Sequence, residues 1–190
     1  GGGVRVFKAS PTLSRVLITG NNGTTSGAAL NIWDSGTVTL DRCTLADNVG
    51  SAAVTATSGT NVVVDSSIVF GHSGSLSGTG TFSVSYSVVQ GGAVGTVNLD
   101  ADPLFGDGYG LAVGSPAIDA GNPDRDGDGQ SYLVDADDRD TDGSRLDMGA
   151  RATTKASGGA FFTFNGYDWV LADKGQNCAS RCAEVGRECK

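Results

Sequence analysis

Over the first hundred residues the apolar positions recur in a nine-residue phrase that drifts but keeps its frame: LSRVLITGN from Leu13, LDRCTLADN from Leu40, VDSSIVFGH from Val64 and VSYSVVQGG from Val84. Each phrase opens on an aliphatic residue (Leu13, Leu40, Val64, Val84) and returns to one five positions on (Ile18, Leu45, Val69, Val89), with Gly, Asn, Ser and Asp at its bounds. Short apolar runs punctuated by turn formers predict short strands. The phrases start 27, 24 and 20 residues apart, and β-prone pieces such as AALNIWD and AAVTATS lie between them. Each period therefore holds two or three strands, the length of one coil of a parallel β-helix. A single coil cannot bury its inward aliphatics, whereas coils stacked at about 4.8 Å join them into a continuous core. A hairpin sandwich is the competing reading. Two-residue Asn-Gly or Asp-Gly links between alternating strands are missing, however, and Asn22-Gly23 sits inside a longer Gly/Thr/Ser run.

In stacked coils, equivalent positions form ladders. Asn21, Asn48 and His72 end three phrases and are expected to sit one above another, with His72, the only histidine, as a ladder residue rather than a catalyst. Cys43 falls in an inward slot matched by Val16, Ser67 and Ser87, and reads as a small core residue. Arg15 and Arg42 share a slot and are expected to pair with Asp41 or Asp65.

The second half is more specific. VDSSIVFGHSG, VSYSVVQGG, NLDADPLF, LAVGSPAIDAG and RLDMGA follow in order, and this series resembles bacterial right-handed β-helix surface proteins with a choice-of-anchor Q type C-terminal region, relatives of polymorphic outer-membrane-protein repeats. The resemblance covers residues 13–150. It implies an all-β, right-handed parallel β-helix with an irregular C-terminal cap, secreted or surface-attached, and no defined reaction. Within the cap, Pro103 favours a sheet edge, Leu104 and Phe105 are expected to plug the open end of the solenoid, Ile118 to pack inward, Asp119 to accept turn amides, and Asp147 to be structural.

Composition agrees with strands and turns. The chain has 190 residues with 30 glycines, and its 21 acids comprise 19 aspartates and only two glutamates, Glu184 and Glu188. Glycine and aspartate are poor helix formers. The net charge of −8 speaks against nucleic-acid binding, which needs a basic face. No apolar run approaches the ~18 residues of a membrane span. The acidity is concentrated: 13 aspartates and three arginines lie between Asp100 and Asp147. There, Asp124-Arg125-Asp126-Gly127-Asp128-Gly129 matches the first half of an EF-hand-like loop. Asp124, Asp126 and Asp128 supply carboxylates, Gln130 its carbonyl, and Asp135 the twelfth position, where a bidentate glutamate is usual. Calcium is the expected cofactor, with a solvated acidic turn as the alternative. Asp135 to Gly143 forms a second acidic cluster, read as completing that site, as holding another ion, or as Asp–Arg pairing and turn formation.

Catalysis is not expected. Glycoside hydrolysis needs two carboxyls facing each other across a sugar, but Asp34, Asp41, Asp47 and Asp65 are scattered among the repeats.

After Ala150 the texture changes. RATTKASGG reads as a linker, followed by an aromatic β-prone stretch whose Phe161, Phe162, Phe164, Tyr167 and Trp169 are candidates for assembly with a neighbour, and then by Cys178, Cys182 and Cys189. A Cys182–Cys189 disulfide is expected, and Asn22 opens the one N-glycosylation pattern, in an expected exposed turn. The organisation is therefore coils over 1–100, an acidic cap over 101–150 and an assembly segment over 151–190. Disulfides and calcium point outside the cell. The leading expectation is a non-catalytic extracellular structural protein that self-assembles into a fibre or surface layer. The runner-up is a glycan-binding adhesin in which Trp33, Tyr86, Tyr109 or Trp169 stacks on sugars, and a degenerate polysaccharide-active enzyme comes third.

Overall fold

In a computed structural model, the described residues are 2–23 and 27–153, together with the backbone of Phe161–Phe164 and Tyr167–Val170. The chain divides into two compact units, Gly1–Thr153 and Thr154–Lys190. The first is an all-β parallel solenoid, as the repeats predict. Its strands are β1 (Val4–Phe7), β2 (Thr12–Ser14), β3 (Leu17–Thr19), β4 (Asn22–Gly23), β5 (Leu30–Trp33), β6 (Thr37–Asp41), β7 (Thr44–Ala46) and β8 (Val49–Gly50). They continue with β9 (Val54–Ala56), β10 (Asn61–Asp65), β11 (Ile68–Phe70), β12 (Leu76–Gly78), β13 (Thr81–Ser85), β14 (Val88–Val89) and β15 (Gly95–Thr96). Three long sheets stack in the orders β1-β5-β9-β12, β2-β6-β10-β13-β15 and β3-β7-β11-β14, and β4 pairs β8. Three turns carry the chain from β1 to β12.

The register follows the phrases. Leu13, Leu40, Val64 and Val84 pair in one ladder, and Ile18, Leu45, Val69 and Val89 in another. These side chains point inward with Leu30, Ile32, Val38, Val54 and Val62 to form a continuous, mainly aliphatic core.

The corner between the second and third sheets is a two-residue turn that repeats in every coil. Its first residue is left-handed each time: Arg15 (φ 55°), Arg42 (48°), Ser66 (49°) and Tyr86 (46°). Its second residue is Val16, Cys43, Ser67 or Ser87, of which the last three are fully buried. Left-handed backbone costs a side-chain-bearing residue roughly 1–2 kcal/mol. Stacking offsets that cost, because each corner amide finds a partner in the next coil: Arg15 N–H donates to Asp41 O at 2.9 Å and Arg42 N–H to Asp65 O at 3.0 Å.

Residues 100–153 do not plug the end of the solenoid. They lie along its flank, over the outer face of the third sheet, where Ile68 and Val88 form a second buried cluster with Ala117 and Met148. Phe105 packs into this flank cluster, while Leu104 stays exposed. The expectation of an end plug is thus corrected. The outward residues Ile68 and Val88 are as apolar as their inward neighbours, so burying them on the flank removes more apolar surface from water. Met148 N–H bonds Ala117 O, Gly149 N–H bonds Ser66 O at 2.7 Å and Ala150 N–H bonds Thr44 Oγ1 at 2.9 Å, which sews the cap to the corner. In its phrase Ala117 is fully buried, whereas Ile118 is only partly so.

The second unit contains an antiparallel pair, β16 (Phe161–Phe164) and β17 (Tyr167–Val170), with Phe162 opposite Trp169 and Phe164 opposite Tyr167. Cys178, Cys182 and Cys189 lie outside the described residues, and so does the expected Cys182–Cys189 bond.

Candidate functional site

Inside the coils, polar side chains are consumed by ladders. Asn48 is the centre of one. Its Oδ1 accepts Asn21 N–H at 3.0 Å and Asn21 Nδ2 at 2.9 Å, while its Nδ2 donates to Ile18 O and Ala46 O, each at 2.9 Å. The same nitrogen lies 3.2 Å from His72 Nε2. An amide nitrogen only donates, and its two N–H groups already serve Ile18 O and Ala46 O, so Nε2 is at most a shared third acceptor and the proton of neutral His72 is assigned to Nδ1. Burial lowers the His72 pKa, against a weaker opposing pull from Asp47. His72 is a ladder residue, as its position in the phrase predicts.

Cys43 N–H donates to Ser67 Oγ at 2.9 Å and Ser67 N–H to Ser87 Oγ at 3.0 Å, making a hydroxyl ladder through the corner. Burial pushes the Cys43 thiol up to about 11, so it is protonated and unreactive at neutral pH.

Two aspartates tie the corner to the cap. Asp41 receives Ser14 Oγ at 2.7 Å, Arg42 through Nε and NH2 at 3.2 Å each, and Arg125 through Nε at 3.2 Å and NH2 at 3.0 Å. Burial alone raises the Asp41 pKa, but the bonds from Arg125, Arg42 and Ser14 outweigh it and hold the carboxyl well below the usual range. Asp65 receives Ser66 Oγ, Ser85 Oγ and the Asn122 amide. Arg42 pairs with Asp41 as expected, whereas Arg15 reaches Asp140 of the cap at 3.7 Å. The cap has its own buried carboxylates. Asp147 accepts the backbone N–H of Asp119 at 2.7 Å and of Thr153 at 2.6 Å. Asp140 accepts Asp147 N–H at 2.6 Å, yet burial still lifts its pKa to about 6.

The acidic loop gathers part of its expected ligand set. Carboxylate oxygens of Asp124, Asp126 and Asp128 lie within 4.8 Å of one another. Asp135 does not join that trio; it groups with Asp126 and with Asp137 of the second acidic cluster, again within 4.8 Å. Gln130 turns its side chain onto Asp128, Nε2 to Oδ2 at 2.5 Å. The side-chain hydrogen bond that protonated Asp135 donates to the Asp137 carboxylate raises the Asp135 pKa.

Among the candidate sugar platforms, Tyr86 sits under Arg145, whose guanidinium lies 5.6 Å from the ring, and packs into the flank cluster. Tyr109 is engaged by Asp47 Oδ2 at 2.9 Å and edge-on by Phe105 at 5.3 Å. Trp33 is different. It is 48 % exposed, pairs in register with Phe7, itself 53 % exposed, and Arg5 lies 5.4 Å from one ring and 5.7 Å from the other. Phe7 was not flagged by sequence; its place beside Trp33 depends on pairing across 26 residues. Asn22 is exposed but lies on β4, paired with Val49, rather than in a turn.

No protein-family model, curated protein or solved structure matches the chain.

Proposed function

We propose that the protein is a non-catalytic extracellular scaffold whose solenoid joins neighbouring copies end to end into a fibre or surface layer, with the aromatic segment from Phe161 to Trp169 as a second contact. The observation that carries this reading is the first rung. β1, β2, β3 and β4 each stand at the end of their sheet, so one whole rung offers backbone donors and acceptors to a further strand layer. Contacts of this heterologous kind that do not close make filaments. The ladders support the same reading, because the polar groups that a catalyst needs are spent on stacking coils. Calcium at the aspartate loop and an extracellular setting complete it, in line with the resemblance to bacterial surface β-helix proteins. The test is negative-stain electron microscopy and light scattering of the purified chain at rising concentration. Ordered filaments support the proposal, and a monodisperse monomer throughout overturns it.

A second reading, glycan binding, is favoured by one observation, the exposed Phe7–Trp33 pair flanked by Arg5 and Lys8. Aromatic faces stack on the apolar faces of sugars, and the cations suit acidic glycans. Glycan-array binding that disappears in Trp33→Ala supports it, and an array without signal overturns it.

A further inference from the structure

We propose that the acidic loop and the segment Asp135–Asp138 form one hard divalent-cation site, built on two carboxylate trios that share Asp126 and lie near the buried Asp138, and that its occupation locks the cap onto the solenoid. This rests on the calcium part of the proposed function and is independent of self-assembly.

Asp126 belongs to both carboxylate groups, the one with Asp124 and Asp128 and the one with Asp135 and Asp137. Two carboxylate trios therefore adjoin, with Asp126 common to both. An independent observation lies nearby. Asp138 is fully buried, its Oδ1 accepts Arg125 N–H from within the loop at 2.6 Å, and its Oδ2 has no hydrogen-bond partner. The charges it faces are those of Asp135, Asp124 and Asp126. A buried carboxylate with an unpaired oxygen, facing the like charges of Asp135, Asp124 and Asp126, is costly unless a cation is near.

The local arginines do not supply that cation. Arg125 turns its guanidinium to Asp41, Arg139 Nε bonds Tyr132 O and Arg145 Nε bonds Gly121 O. Among the described residues, none of these six aspartates has a lysine or arginine at ion-pair distance. An all-oxygen set of this charge suits calcium, which accepts six to eight oxygens in flexible geometry, better than magnesium, which demands a near-ideal octahedron.

The coupling to the fold runs through Arg125. Its backbone N–H is held by Asp138 and its side chain clamps Asp41 on β6, so the residue between two ligands also ties cap to coil. A cation that draws the loop together fixes the base of that clamp.

The experiment is isothermal titration of the chelator-treated full chain with calcium chloride in ~0.15 M KCl, where exposed charge is screened, with thermal unfolding followed in calcium and in chelator. Expected are saturable uptake, a higher Tm in calcium, and at least a tenfold weaker uptake in Asp126→Asn, an exposed position that leaves the fold intact. Asp138→Asn carries the sharper test. It is expected to raise Tm in chelator, by removing an uncompensated buried charge, and to lower it in calcium. No uptake at millimolar calcium, or non-saturable uptake, overturns the proposal. So does an Asp138→Asn variant with lower Tm in both conditions, because a purely structural acceptor for Arg125 N–H behaves that way. None of these outcomes depends on whether filaments form.

Discussion

Replacing Asn48 by alanine is the most direct probe of whether ladders hold the solenoid. The side chain is 2 % exposed and serves three coils at once. Its loss orphans Asn21 N–H, the Ile18 and Ala46 carbonyls and His72 Nε2. A net hydrogen bond contributes about 1 kcal/mol, and a partner left buried and unpaired costs about 1–3 kcal/mol. Asn21 is only half-buried and water can reach it, whereas Ile18 O, Ala46 O and His72 are enclosed. The loss is thus about 3–5 kcal/mol, a large share of the 5–15 kcal/mol that holds an ordinary domain. Asn21→Ala, at the half-buried foot of the same ladder, should cost only about 1 kcal/mol. Urea unfolding followed by far-ultraviolet circular dichroism reads both, with an unchanged slope expected because the exposed surface hardly changes. A loss below about 1 kcal/mol for Asn48→Ala, or equal losses for the two variants, refutes the argument.

Burial lifts the Asp140 pKa to about 6 in the folded chain, against 3.8 for an exposed aspartate. Folding therefore favours its protonated form, and the stability it contributes is complete below pH ~4 and lost as pH rises through ~6, about 2–3 kcal/mol in all. Relative to wild type, Asp140→Asn should gain stability between pH 4.5 and 7.5 in parallel urea titrations; a constant difference across that range contradicts the burial argument. Gly149 sits at φ 100°, and a Cβ there meets Ile68 Cδ1 and Thr44 Oγ1 at 2.8 Å. Gly149→Ala should cost roughly 2–3 kcal/mol by strain and by prising the cap from the flank, read as a lower Tm and as faster proteolysis within 101–150. Cys43 should resist a thiol reagent in the native protein and react fully in urea, as intact mass will show; native labelling contradicts its enclosure among the coils.

Much of the coil register was legible in the chain, because stacking forces equivalent slots to carry equivalent side chains. The alignment of Leu13 with Leu40, Val64 and Val84, the Asn21–Asn48–His72 stack and the inward Cys43 all follow from that constraint. The flank position of the cap was not read, although a signal existed. SSIVFG and YSVVQ carry adjacent apolar residues where a half-solvated strand alternates, and such runs mark strands covered on both faces. The left-handed corners gave no signal, since arginine, serine and tyrosine are not residues that announce positive φ; the next coil imposes that conformation. The aspartate loop was read from its spacing, but Asp137 and Asp138 enter by tertiary folding, which spacing does not encode.

The periods of 27, 24 and 20 residues have a geometric consequence. The fourth face, made by β4 and β8, exists only in the first two coils, so the solenoid is a tapered column whose broad base carries four strand edges while its summit has lost one side. Base and summit are not interchangeable templates. In the end-to-end assembly proposed above, a base set on another copy's summit would leave the edge of β4 as a step. A column that grows this way has a direction, and it bears the same notch at every molecular junction.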